Sequence, residues 1–76
     1  MGVLNVEMKP GLKVYVEGHL DPADQTSPYI QTNAMIMEYP HFMDDFIKVR
    51  LDEGVNGAKN QIIKVSKHSI YWRKQG

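Results

Sequence analysis

The chain contains no cysteine. That excludes a disulfide framework, a thiolate zinc site, an iron–sulfur cluster and a cysteine nucleophile. Neither sign of charge is in excess, since nine Lys and Arg balance nine Asp and Glu over 76 residues. No apolar run approaches the roughly 18 residues of a membrane-spanning helix. Met1-Gly2-Val3-Leu4-Asn5-Val6-Glu7 has neither the basic start nor the long apolar stretch of a signal peptide. Val6 stands where a myristoylation site needs Ser or Thr. The dispersed glycines form no phosphate-cradling GxGxxG or Walker-type loop, and no serine sits in a GxSxG elbow. These absences predict a soluble, cytoplasmic domain with no membrane contact, no cofactor and no metal.

What is present is ordinary globular composition, 42% apolar and 24% charged, which disfavours disorder. The length allows one small domain. A domain of this size buries only roughly 60% of its unfolded surface, so its stability is marginal. A homo-oligomer is one remedy, and zero net charge favours self-association.

Short alternating segments dominate the chain. Residues 1–10 read as an N-terminal arm or edge strand, ended by the turn signal Pro10-Gly11. In residues 12–18, Leu12, Val14 and Val16 share one face against Lys13, Tyr15 and Glu17, the period of a half-buried strand. Residues 19–29 are polar, carry Pro22 and Pro28, and read as a long loop in which Asp21 caps a single turn begun by Pro22. Residues 33–39 form the second strand; Met35, Met37 and Tyr39 are its more apolar set and are placed inward, Ala34, Ile36 and Glu38 outward. Phe46–Asp52 is the clearest strand, with Ile47, Val49 and Leu51 inward. A hairpin loop with the turn dipeptide Asn56-Gly57 leads to Gln61–Ser66, with Ile63 and Val65 inward. Lys67-His68-Ser69 makes a tight turn before a last strand, Ile70–Arg73.

Five closely spaced strands with no substantial helix predict a small antiparallel all-β barrel. Gly11-Leu-Lys-Val-Tyr-Val16, Met35-Ile-Met-Glu-Tyr39, Ile47-Lys-Val-Arg-Leu-Asp52 and Val65-Ser-Lys-His-Ser-Ile70 together resemble the SH3-like barrels, of the Tudor and KOW type, over residues 10–73, and residues 11–76 are expected to form the single domain. The resemblance is to a fold, and a fold alone does not assign function. The Ala-Leu-Tyr-Asp-Tyr motif of the classical SH3 groove is absent. An OB-fold or an open β-sandwich is an alternative arrangement of the same strands.

No catalytic constellation emerges. His19, His41 and His68 show no metal-ligand spacing, and they read as loop histidines. Asp44 and Asp45 are adjacent, which suits a turn better than an acid–base dyad. Ser66 and His68 lack a neighbouring acid.

Two surfaces stand out. Tyr39-Pro40-His41-Phe42-Met43 with Phe46 is rich in residues that favour interfaces. With Trp72, the residues Tyr39, His41, Phe42 and Phe46 are the expected contacts of a protein partner, unless the aromatics plug the end of the barrel. Charge is the second feature. Residues 1–58 hold every acidic residue and only four basic ones, whereas residues 59–76 hold Lys59, Lys64, Lys67, Arg73 and Lys74 and no acid. Lys48, Arg50, Lys64, Lys67, Tyr71, Arg73 and Lys74, with Trp72, are the candidates for nucleic-acid binding by phosphate neutralisation and stacking.

The expectation is a non-enzymatic binding module, acting as a regulator, adaptor or inhibitor of another protein, of a size common in mobile-element genomes. A nucleic-acid-binding barrel is the alternative. An oligomeric enzyme with a site between subunits is the third.

Overall fold

A computed structural model describes residues 8–72. Five strands follow in order: β1 Lys13–His19, β2 Tyr29–Ile36, β3 Phe46–Glu53, β4 Lys59–Ser66 and β5 Ile70–Trp72. Single 3₁₀ turns at Val55–Gly57 and Lys67–Ser69 precede β4 and β5. All the strand pairs are antiparallel, in one sheet ordered β4-β3-β2-β1-β5. The all-β, five-stranded expectation therefore holds. The ladder does not close: among the described residues β4 and β5 remain its two edges, where a completed barrel would have none.

The alternation within each strand decides which face is buried. Val14 and Val16, Ile47, Val49 and Leu51, and Val65 are buried on the inner face, as the sequence pattern predicts; Ile63, expected there too, is half-buried, and Ile70 joins the buried set from β5. Strand β2 differs. It begins at Tyr29 rather than residue 33, and its inner face is Ile30, Thr32, Ala34 and Ile36. Met35 and Met37 are only half-buried and Tyr39 is exposed. The expected inward set is thus the outer one, because the four-residue run from Ile30 to Ile36 outweighs two methionines once the whole strand is counted.

Strand β2 also changes partners along its length. Its first residues pair with β1 alone, from Tyr29 opposite His19 to Asn33 opposite Tyr15. Ala34–Ile36 pairs with β1 on one side and with Val49–Leu51 of β3 on the other. Where β2 and β3 part, the Glu53 N–H donates to the Thr32 hydroxyl at 3.1 Å instead of to backbone. This buried hydroxyl replaces the ladder bond that the divergence removes.

Local turn chemistry fixes the connections. Asn56 has φ 58 and ψ 28, Gly57 has φ 75, and Ala58 N–H donates to the Val55 carbonyl at 3.2 Å. Two left-handed residues in succession are what an Asn-Gly hairpin turn requires. In the long β1–β2 loop, Asp21 Oδ1 accepts from Ala23 N–H at 3.0 Å and Asp24 Oδ1 from Thr26 N–H at 2.9 Å. These are two successive turns, with no helix between them. Met8 is buried as a member of the core cluster, so the chain joins the domain before Pro10; the half-buried Leu12, Leu20, Val55 and Ile63 pack against the cluster as a whole.

Candidate partner-binding surface

The connection between β2 and β3, residues 37–45, is held at both ends. At its start, Met37 N–H donates to the Lys48 carbonyl at 3.0 Å, and the Glu38 carboxylate accepts from Lys48 N–H at 2.8 Å. At its end, Asp44 Oδ1 accepts from Phe46 N–H at 2.9 Å, and Asp44 Oδ2 lies 3.5 Å from the Lys64 ammonium. Lys67 crosses from the following 3₁₀ turn: its ammonium donates to the His41 carbonyl at 2.6 Å and its backbone N–H to the Asp45 carbonyl at 2.8 Å. The Phe46 hydrogen bond, followed by Lys64, holds the Asp44 carboxyl below its ordinary pKa.

Between these anchors the apolar side chains turn outward. Tyr39 is 71% exposed, Phe42 86% and Met43 83%. Burying one such side chain yields about 1.5–3 kcal/mol, and the fold leaves all three in water. Phe42 is therefore no plug for the sheet; Met8, Leu12 and Leu20 supply apolar packing at the core instead. His41 is exposed beside them.

Phe46 is half-buried where this connection enters β3. It shares a groove of about 250 Å³ with Asp21, Pro22 and Ala23 of the β1–β2 loop, Asp45, Ser66 and His68. Ser66 lies on the outer face by alternation yet is buried, and its hydroxyl accepts from His68 N–H at 3.1 Å. That bond orients the 3₁₀ turn that forms one wall. The sequence gives no sign of Pro22, Ala23 and His68 as site residues. They lie far from Phe46 in the chain, and only the fold brings them together.

Four of the five expected partner contacts, Tyr39, His41, Phe42 and Phe46, thus lie on one continuous stretch. Trp72 is on β5, opposite Val14 and separated from β3 by β1 and β2 in the sheet order; its side chain lies outside the described residues.

The basic set is more dispersed. Lys48 and Lys64 face each other directly across β3 and β4, both exposed. Arg50 is half-buried opposite Ile62. Lys64 is paired with Asp44, and Lys67 is engaged at His41. Tyr71 is opposite Tyr15 at the other edge of the sheet. Arg73 and Lys74 lie outside the described residues. His19 is committed locally: its Nδ1 is 3.0 Å from the Ser27 carbonyl and its ring meets Tyr29 edge-on at 5.1 Å. Among the described residues, no group of three His, Asp or Glu is placed to hold a metal ion. Among them also, no helix is long and apolar enough to cross a membrane.

Comparison with protein-family models, with curated proteins and with solved structures found no match.

Proposed function

We propose that the chain is a non-enzymatic binding module that docks an extended segment of a protein partner across Phe46 and the Tyr39–Met43 connection. The observation that carries this is the outward display of Tyr39, Phe42 and Met43 on a connection anchored at both ends. Preorganised apolar side chains bind at lower entropic cost than mobile ones. The adjoining groove offers Phe46, Pro22 and Ala23 for an apolar residue of the partner. Asp21 and Asp45, both exposed at its rim, favour a cation beside that residue. The long β1–β2 loop, the strand order and the 3₁₀ turn before β5 support an SH3-like barrel as the finer description of the fold. Regulation, adaptor action and inhibition are all compatible with such docking.

Selection of random displayed peptides on the immobilised chain tests this. Apolar peptides with a flanking Lys or Arg should be enriched. Phe42→Ala and Phe46→Ala should each weaken the selected peptides about 30-fold or more, the loss typical of a central aromatic contact. No enrichment, or binding indifferent to both substitutions, refutes the proposal.

Nucleic-acid binding is the second reading, favoured by the facing pair Lys48 and Lys64. It requires affinity for a mixed-sequence oligonucleotide that falls steeply with salt. Peptide binding through Phe42 and Phe46 should change far less over the same salt range.

A further inference from the structure

The outer face of the sheet carries a second feature, away from the aromatic connection. Lys13 of β1 is opposite Met35 of β2, and Met35 is opposite Arg50 of β3. The two cations therefore flank one thioether in a single cross-strand row. A cleft of about 340 Å³ opens there, lined by Lys13, Ala34, Met35, Arg50 and Asp52.

Arg50 is poorly satisfied. A guanidinium carries five N–H donors. Among the described residues, Nη2 has only the Met35 sulfur, a weak acceptor, at 3.9 Å. Nε is buried and, among the described residues, has no hydrogen-bond partner. Among the described residues neither Arg50 nor Lys13 makes an ion pair, although Asp52 lines the same cleft. Buried polar groups are ordinarily paired, so an orphaned guanidinium nitrogen beside an open cleft calls for an acceptor.

We propose that this cleft binds a carboxylate. A planar carboxylate matches the guanidinium fork, with one oxygen at Nη2 and the other at Nε. The flexible Met35 side chain yields to admit it and then packs against its aliphatic stem. The Lys13 ammonium closes the opposite side. Charge decides the class of anion: two cations and one resident carboxylate leave a single positive charge to neutralise. A phosphate dianion overfills that balance and is repelled by Asp52. This site is independent of the peptide groove, and either can fail alone.

The chain has two arginines, Arg50 and Arg73, so the labelled protein shows two Nε–Hε signals in its nitrogen–proton NMR spectrum. Sodium butyrate is titrated against sodium chloride at matched ionic strength. The Arg50 Nε–Hε signal and the Met35 amide should shift saturably, with half-saturation in roughly the millimolar range of a small ligand. Arg50→Lys should abolish the Met35 response. Lys13→Gln, at an exposed position, should weaken it about tenfold while leaving amide dispersion intact. The capped peptide acetyl-Ala-Glu-Ala-amide separates two sources of the carboxylate. Tighter binding than butyrate assigns it to a partner's acidic side chain and weaker binding to a free acid, and both support the site. A linear drift equal to that with chloride, an unchanged response in Arg50→Lys, or tighter binding of inorganic phosphate overturns the proposal.

Discussion

Asp44 does two jobs with one carboxylate. It accepts the Phe46 N–H at 2.9 Å and pairs with Lys64 at 3.5 Å, fixing the end of the aromatic connection to both β3 and β4. Its pKa in the folded chain is depressed, first by the Phe46 hydrogen bond and then by Lys64. A depressed carboxyl contributes stability that is present above its unfolded value, about 3.9, and is lost as pH falls through the folded value. The Phe46 amide shift should therefore titrate with a midpoint below about 3.9, and Asp44→Asn should remove that transition from the NMR pH profile. Gly54 illustrates a different constraint, one of space. A Cβ there would lie 2.8 Å from the Cβ of Gln61, whose side-chain carbonyl accepts Val55 N–H at 2.8 Å. Gly54→Ala should destabilise the chain by about 1–3 kcal/mol, read as a lower urea midpoint, through overpacking and loss of that bond.

Among the elements, β2 separates what the sequence discloses from what it hides. Ile36→Ala should cost about 2–5 kcal/mol as a core truncation, and Met37→Ala much less. The opposite order of denaturation midpoints would restore the inward face expected from residues 33–39. Strands β1 and β3 were legible because each alternates cleanly between turn signals, and Asn56-Gly57 announced its own geometry. In β2 the polar loop conceals the start, since Tyr29-Ile30-Gln31-Thr32 follows directly on Pro28. Beginning at Asn33 removes Ile30 and Thr32 from the comparison, and a period-two pattern then assigns every side chain to the wrong face. The candidate site was legible where it is local, at Tyr39, His41, Phe42 and Phe46. Its opposing wall, Pro22, Ala23 and His68, depends on tertiary packing for which alternation carries no signal.

For the molecule as a whole, stability rests on one small core, with edges at β4 and β5. Lys59 and Lys64 on β4 guard the longer edge against pairing with another chain, a common device of natural sheets. Lys48 faces Lys64 directly, and like charges in that position are destabilising. Lys48→Glu should therefore stabilise the domain by about 0.2–1 kcal/mol, measured as a higher urea midpoint that falls back with added salt. The sheet order has a temporal consequence as well. Strands β1 to β4 each pair with their neighbour in the chain, whereas β5 returns to β1, so that Val16 meets Ile70. That long-range closure carries the largest loop entropy of any pairing and rewards the chain last. On the ribosome, Val14 and Val16 emerge long before Ile70, and β1 keeps an unpaired edge until synthesis has passed residue 72. Until β5 arrives, the nascent domain holds a vacant strand position beside β1, for which any extended segment nearby competes with β5.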